Sequence, residues 1–154
     1  MANEAVESGA AVVTMVIESR SPHETKLWGR RLASLLEGGE LLGLIGDLGA
    51  GKTCFIKGLA SGLSLREEDI LSPTFTMIQE HSGRVPLYHI DLYRLEKPGE
   101  LDSLGLEDLM QDERNLLLIE WGEKFPRILQ QKDAEIVIRR VEHDERTVRL
   151  TTNG

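Results

Sequence analysis

The residues most able to do chemistry in this sequence lie between Gly46 and Thr53 and read GDLGAGKT. Small residues at fixed positions let a backbone curl so that successive N–H groups point at phosphate oxygens. Those small residues are Gly46, Gly49, Ala50 and Gly51. In this pattern Lys52 supplies a positive charge between the β- and γ-phosphates, and the Thr53 hydroxyl reaches a Mg²⁺ ion. The segment therefore predicts a phosphate-binding loop.

Two further acids follow apolar runs and are expected to lie near this loop. Glu120 ends the run Leu116–Ile119, and Asp91 falls near the end of the run that begins at Tyr88. In open α/β sheets, ligands bind beyond the carboxyl ends of the strands, which is where both acids would lie. Glu120 is expected to act with Thr53 around Mg²⁺, and Asp91 to hold a metal-bound water or orient the attacking one. The alternative for each is a solvated acid at a strand end.

Three other features are candidates for the same site. Ser72 and Thr74, in the segment Ser-Pro-Thr-Phe, occupy the position of a switch that senses the γ-phosphate, or else form a proline turn with a hydroxyl cap. Trp121 directly follows Glu120 and would report on the metal site, although an aromatic residue there is more often part of a core. By the period of two, Tyr93 shares a strand face with Asp91 and His89.

The elements that must position these residues alternate along the chain. A strand is expected over Val12–Glu18, and a helix from an N-cap at Ser21 to about Leu36. A strand is expected over Leu41–Ile45, and a helix from Thr53 with Gly62 as its C-terminal cap. Strands are then expected over 75–80 and 85–92, a helix over 101–110, a strand over 115–121, a short helix over 124–129 and a hairpin over 135–151. The first helix should bury its large apolar residues, which are Leu27, Trp28, Leu32, Leu35 and Leu36. The pattern predicts an α/β fold, a sheet with a parallel core and antiparallel hairpins and with helices on both faces.

The bulk properties bound the class of protein. At 154 residues the chain fits a single domain over 11–154, preceded by a loose, flexible tail over 1–10. A formal net charge of −8 disfavours direct binding to a nucleic-acid backbone. The single cysteine, Cys54, excludes an internal disulfide, and no apolar run reaches the length of about 20 residues that a membrane span needs. A cytoplasmic location is expected.

The motifs taken together resemble one family, the bacterial TsaE (YjeE) proteins of tRNA threonylcarbamoyladenosine synthesis. The residues that carry the resemblance are GDLGAGKT at 46–53, SPTF at 72–75, YHIDLYRL at 88–95 and LIEWG at 118–122. The spacing between the motifs also fits, and the resemblance covers about Met15 to Thr151. It implies a P-loop fold that binds ATP and Mg²⁺.

The resemblance also implies roles for residues and partners. Thr53 and Glu120 would hold Mg²⁺, residues 49–54 (which include Cys54) would wrap the phosphates, and Asp91 would be the catalytic acid of hydrolysis. The adenine would lie between the start of the first helix, at Pro22–Thr25, and the last hairpin turn near Glu145. The activity implied is a weak ATPase that works with TsaB and TsaD, which modify the adenosine beside the anticodon in tRNAs reading codons that begin with A. Contact with tRNA would be indirect.

Other functions compete with this one. The chain lacks a guanine-recognition element, which disfavours a GTPase, and it lacks the Arg-rich lid of small-molecule kinases. A small-molecule or nucleoside kinase is still the main alternative, because it shares the loop and the Mg²⁺ acid. A third possibility is a nucleotide-gated scaffold in which ATP binding alone matters.

Overall fold

A computed structural model describes the chain except for residues 1–3, 9–11, 47–50, 71–76, 144 and 154. The strands are β1 (Glu4–Ser8), β2 (Val12–Ser19), β3 (Leu41–Ile45), β4 (Ile78–Ser82), β5 (Pro86–Asp91), β6 (Leu116–Glu120), β7 (Ala134–Glu142) and β8 (Glu145–Asn153). The helices are α1 (Pro22–Ala33), α2 (Lys52–Gly62), α3 (Gly99–Ser103), α4 (Leu106–Gln111) and α5 (Pro126–Leu129). Short 3₁₀ turns lie at Glu67–Asp69 and Gly122–Lys124.

The strands form one mixed sheet in the order β1-β2-β8-β7-β3-β6-β5-β4. Its centre is parallel, because β3 pairs in parallel with both β6 and β7, and β5 pairs in parallel with β6. Antiparallel pairs flank this centre, β4 with β5 on one side and β7, β8, β2 and β1 in succession on the other. The predicted parallel core with added hairpins is confirmed.

Helices cover both faces of the sheet, as predicted, and each face has its own apolar core. One core packs α1 and α2 against the sheet and includes Phe55, Leu59 and Leu118. The other packs α3, α4 and α5 against the opposite face and includes Leu101, Leu106 and Ile119. Because β6 lies between the two cores, all five of its residues are buried. A polar side chain on this strand must therefore find partners inside the protein.

Helix α1 begins where the sequence predicts and ends earlier. The Ser21 side chain accepts a hydrogen bond from the Glu24 N–H at 3.1 Å, which is the expected N-cap. The prediction placed the end near Leu36, whereas the helix ends at Ala33. Arg84 explains the early end, because its guanidinium donates to the Ala33 and Leu36 carbonyl oxygens at 2.7 and 2.9 Å. A partner distant in sequence thus satisfies carbonyl groups that another helical turn would have used.

The buried face of α1 differs from the predicted one. Its buried residues are Thr25, Gly29 and Ala33, whereas Leu27 and Leu35 are 37% and 72% exposed. Residues four apart share one helix face, so these three small residues form a stripe that faces α2. The predicted burial of Leu27 and Leu35 is therefore wrong, because close helix contact selected small residues rather than large ones.

Glycines on both helices make that close contact possible. A Cβ at Gly58 would lie inside the contact distance of the Lys26 carbonyl oxygen and 2.9 Å from the Lys26 Cα. A Cβ at Gly62 would lie 2.5 Å from the Ala33 Cβ. Gly62 was expected to cap α2 from outside, yet it is the last residue of that helix and Leu63 follows as the cap. Its small size serves packing, and the prediction of a glycine cap is wrong.

Two more differences concern local structure. The single helix predicted over 101–110 is two helices, α3 and α4, because Gly105 between them has a φ of 68° and interrupts the helical path. Near the N-terminus, Glu4–Ser8 forms β1, paired antiparallel with β2, where the sequence suggested a loose tail. Within the part of the chain that the structure describes, no helix is long and apolar enough to span a membrane.

Replacing Gly58 with alanine tests the helix contact. Alanine normally favours a helix over glycine by about 1 kcal/mol, but here its methyl group would collide with the backbone of Lys26. We expect Gly58→Ala to lower the free energy of unfolding by about 3 kcal/mol, the upper end of the usual cost of overpacking. Urea unfolding measures the change.

Gly99→Ala is the matched control, because no atom lies within 4 Å of a Cβ placed there. It should leave stability unchanged or raise it by up to about 1 kcal/mol. Equal stability of Gly58→Ala and the wild type would contradict the close packing of α1 on α2.

Candidate nucleotide-binding and hydrolysis site

The predicted strand–loop–helix unit is present on both sides of the glycine-rich segment. Strand β3 ends at Ile45, directly before Gly46, and α2 begins at Lys52, directly after Gly51. Gly51 has a φ of 101°, in the left-handed region that favours glycine. Residues 47–50 lie outside the described part of the chain, so the expected phosphate contacts of Gly49 and Ala50 are still predictions. The N-terminus of α2 nevertheless lies at the edge of the sheet where the parallel strands have their carboxyl ends.

Glu120 connects this helix to the sheet. It is the last residue of β6, 7% exposed, and its two carboxylate oxygens have different partners. Oε1 lies 3.3 Å from the Lys52 Nζ, and Oε2 lies 2.7 Å from the His89 Nε2. The structure therefore brings together the predicted lysine and the predicted acid, and it adds a histidine.

These partners decide the charge state of Glu120. Burial would raise the pKa of the Glu120 carboxyl, but the hydrogen bond from His89 and the charges of His89 and Lys52 outweigh it. The net effect lowers the pKa of Glu120 below its usual value. Glu120 is therefore an ionised, oxygen-donor group beside the N-terminus of α2 at neutral pH, the kind of group that Mg²⁺ prefers.

Asp91 lies next to Glu120, as predicted. The parallel register pairs Asp91 on β5 with Glu120 on β6. Asp91 is half-buried, and its Oδ1 accepts a hydrogen bond from the Tyr93 N–H at 2.9 Å. Burial raises the pKa of Asp91 and the Glu120 charge adds to the effect, while the Tyr93 N–H opposes it, so the pKa is raised overall. A carboxylate with a raised pKa is a better proton acceptor than an ordinary aspartate.

The two predicted aromatic residues are neighbours beside Lys52. The Lys52 Nζ lies 5.2 Å from the centre of the Trp121 ring, and the Trp121 and Tyr93 rings are 5.1 Å apart. Trp121 has a φ of 64°, which is an unusual backbone conformation for a bulky residue. Tyr93 is 61% exposed, and the Lys124 Nζ donates to its carbonyl oxygen at 2.7 Å. The site is thus bordered on this side by an aromatic pair.

Of the remaining predicted residues, the structure describes Thr53 and Cys54. Thr53 is exposed in the first turn of α2, where its hydroxyl is available to a ligand, and Cys54 is partly buried with a free thiol. Ser72 and Thr74 lie outside the described residues, so their switch role stays a prediction. In the described part of the chain, no three side chains of His, Cys, Asp or Glu converge on a possible metal position. A Mg²⁺ ion held by Thr53 and Glu120 would therefore take its other ligands from phosphate and water, which is the usual manner of Mg²⁺.

The two segments expected to flank the adenine lie close together at this edge. Ser19, at the end of β2, pairs with Arg146 on β8, and the Ser19 hydroxyl lies 2.7 Å from the Thr25 hydroxyl in α1. A Cβ at Gly51 would lie 3.3 Å from the Arg146 Nε, so the last hairpin also borders the phosphate loop. The start of α1, the last hairpin and the loop thus share one side of the molecule.

Two residues of this site were missed in the sequence. His89 was placed on the face of Asp91 but was given no role, and Arg146 was passed over as part of a hairpin turn. The period of two was a partial signal for His89, since it placed this residue on the face of Asp91, but the contact with Glu120 also depends on the pairing of β5 with β6. The sequence carried no signal for Arg146, because its position beside Gly51 depends on how β8 pairs with β2 and β7.

Comparisons with known proteins show which family the chain is similar to. The family model described as "Threonylcarbamoyl adenosine biosynthesis protein TsaE" matches residues 19–148. The tRNA threonylcarbamoyladenosine biosynthesis protein TsaE of Bacillus subtilis (strain 168) is 42% identical over 135 residues, 87% of this chain and 83% of that protein. The protein of the same name from Treponema pallidum (strain Nichols) is 42% identical over 121 residues, 79% of this chain and 88% of that protein.

A solved structure agrees as well. The crystal structure of Bacillus subtilis YdiB has a TM-score of 0.76 to this chain at 35% sequence identity, and the match covers 95% of this chain and 90% of that one. The family model and the relatives span most of the chain, including Lys52, His89, Asp91 and Glu120 within residues 19–148. This chain belongs to the TsaE family of threonylcarbamoyl adenosine biosynthesis proteins.

Proposed function

We propose that this chain is a Mg²⁺-dependent ATPase that serves tRNA threonylcarbamoyladenosine synthesis in the cytoplasm, acting with TsaB and TsaD. The observation that carries the proposal is the buried ion pair between Lys52 and Glu120 at the N-terminus of α2, 3.3 Å long. It joins the lysine of a phosphate-binding loop to an acid at the end of a central parallel strand. That combination is the core of a P-loop nucleotide site.

In the proposed reaction, Lys52, Thr53, Glu120 and Asp91 have different parts. Lys52 exchanges its contact with Glu120 for the β- and γ-phosphates, which replaces one anionic partner by another. The Thr53 hydroxyl and the freed Glu120 oxygen would hold Mg²⁺, which neutralises the charge that develops on the phosphates during transfer to water. Asp91, beside Glu120 and with a raised pKa, accepts the proton of the attacking water.

The surroundings of the site fit a reaction that depends on partners. Within the described residues, the aromatic pair Tyr93 and Trp121 borders the loop and Tyr93 is largely exposed. A net charge of −8 suits a protein that reaches tRNA only through other chains. Membership of the TsaE family favours this function over the kinase alternative, because the family is defined by tRNA modification. The transfer of the threonylcarbamoyl group would be made by TsaB and TsaD and not by this chain.

Adding the partners tests the proposal directly. We expect ATP hydrolysis by the chain alone to be slow and to rise at least about tenfold with TsaB and TsaD, equivalent to about 1.4 kcal/mol of transition-state stabilisation. Phosphate release measures the rate, with Lys52→Ala in the same mixture as the blank. Full activity alone with no effect of the partners would contradict the proposal, and a phosphorylated acceptor in a metabolite screen would favour a kinase.

Removing the lysine tests the nucleotide site. Lys52→Ala takes away a charged contact worth about 1.5–3 kcal/mol, so we expect the affinity for ATP to fall by about 10- to 100-fold. Isothermal titration calorimetry measures it. Lys57→Ala is the matched control, because Lys57 lies on the same helix and outside the site. Equal affinities of Lys52→Ala and the wild type would remove Lys52 from the phosphate site.

Replacing the proposed base separates hydrolysis from binding. Asp91→Asn keeps the shape of the side chain and the Tyr93 hydrogen bond but accepts a proton poorly. We expect ATP affinity within about threefold of the wild type and single-turnover hydrolysis slower by about 10²–10⁴-fold, the usual contribution of a general base. Asp108→Asn, an exposed change on α4, is the control.

The same variant decides whether hydrolysis is needed in cells. If threonylcarbamoyladenosine in tRNA is lost in an Asp91→Asn strain, ATP turnover is required. Normal modification in that strain would instead favour the nucleotide-gated scaffold.

A further inference from the structure

We infer that His89 is a positioning residue that holds one oxygen of Glu120 and thereby aims the other at the nucleotide. The inference rests on the proposed function and adds to it a residue to which the sequence analysis gave no role. The observation is the division of the Glu120 carboxylate, with Oε2 on the His89 Nε2 at 2.7 Å and Oε1 facing Lys52 at 3.3 Å. No other hydrogen bond to this carboxylate is present among the described residues.

The chemistry of the two groups fixes the direction of the hydrogen bond. The Glu120 carboxylate faces the Lys52 amine with one oxygen and the His89 ring nitrogen with the other, so both oxygens act as acceptors. The His89 Nε2 must therefore carry the proton. Its other ring nitrogen, Nδ1, is buried and has no hydrogen-bond partner in the described part of the chain. Among the described residues, Glu120 is thus the only hydrogen-bond partner of the ring, and the contact orients the imidazole as well as the carboxylate.

The position of His89 makes this contact rigid. His89 is 1% exposed, lies within β5 and pairs in register with Leu118 of β6. A side chain held by a central sheet moves less than one on a loop, and its hydrogen bond restricts the rotation of Glu120. Because the Oε2 atom is engaged, only Oε1 faces the N-terminus of α2. The same device, a buried group that orients a carboxylate, commonly tunes metal sites by 10- to 100-fold.

The neighbouring acid makes such a partner necessary. Asp91 and Glu120 sit side by side in the register, so two carboxylates at adjacent strand ends repel each other. Lys52 offsets this repulsion through its contact with Glu120, but under the proposed function it would exchange that contact for the phosphates. His89 would stay in place through the exchange, since it is buried within β5. It would keep the Oε1 atom of Glu120 pointed at the phosphate side in both states.

Two variants of His89 test the inference, because one keeps the donor and the other removes it. The amide nitrogen of Gln reaches about as far as the Nε2 of His, whereas Leu fills similar space without a donor. The measured quantity is the ratio of the ATP affinity in Mg²⁺ to the ATP affinity in EDTA. We expect His89→Leu to lower this ratio by about 10- to 100-fold. ATP affinity in EDTA should change less than about threefold, and His89→Gln should restore the ratio to within about threefold.

His81→Leu is the matched control, because His81 is a partly buried histidine on the neighbouring strand β4 and has no hydrogen bond to Glu120 in the described part of the chain. Its ratio should equal that of the wild type. The inference is overturned if His89→Leu keeps the wild-type ratio, or if His89→Gln loses as much as His89→Leu while both variants melt at the wild-type temperature. Calorimetry in the two buffers gives all four ratios.

A measurement without nucleotide separates this inference from the proposed function. Long-range ¹H–¹⁵N spectra of the histidine rings should show a proton on the Nε2 of His89, and Glu120→Gln should shift that resonance while those of His81 hardly move. An unshifted His89 resonance would overturn the contact itself. If the resonance shifts but Lys52→Ala binds ATP as well as the wild type, then the proposed nucleotide site fails and the His89–Glu120 contact stands.

Discussion

The site depends on one constraint, the burial of a charged carboxylate at the end of the central strand of the sheet. Transferring an ionised group out of water is costly unless it is paired and hydrogen-bonded. Glu120 is 7% exposed, so the fold must supply its partners, and it does so from two directions. His89 comes from the adjacent strand and Lys52 from the first turn of α2. The position of α2 over the sheet is therefore tied to the charge on β6.

The packing of the helices serves the same requirement. The small residues of α1 and the glycines of α2 bring the two helices close together, and the apolar residues of α2 pack onto the sheet. This fixes the axis of α2 and so the place of its N-terminus relative to β3 and β6. Because Lys52 is the first residue of that helix, a tilt of α2 would move the Lys52 amine away from Glu120. The geometry of the site thus depends on the stability of the contact between α1 and α2.

The sequence predicted most of the sheet because its signals there are local. A continuous apolar run gave β6, and the glycine–lysine pattern gave the turn between β3 and α2. The failures concern contacts between distant segments. Leu27 and Leu35 fit an apolar helix face, and only the approach of α2 shows that the stripe through Gly29 is buried instead. The early end of α1 depends on Arg84, about fifty residues further along the chain.

In the candidate site, too, the residues with local signals were predicted and those that depend on strand pairing were not. Lys52, Asp91 and Glu120 stood out because each has a recognisable residue type at a strand or helix end. His89 did not, since a histidine within an apolar strand is more often a core residue. Its role follows from the register that places Asp91 opposite Glu120, a fact of pairing that a single strand does not contain. Gly105, by contrast, interrupts the predicted helix through its own backbone conformation, so the break depends on a residue type that is visible in the sequence.

The register of β5 and β6 gives two similar acids different properties. Asp91 and Glu120 are side by side, yet burial raises the pKa of Asp91 whereas His89 and Lys52 lower the pKa of Glu120. When the environments of two carboxylates push their pKa values apart, one is suited to proton transfer and the other to a permanent charge. In the proposed ATPase, Asp91 is therefore the proton acceptor and Glu120 the metal ligand. Exchanging the roles would require Asp91 to receive the contacts with His89 and Lys52 that Glu120 now makes, because those contacts make the two strand ends unequal.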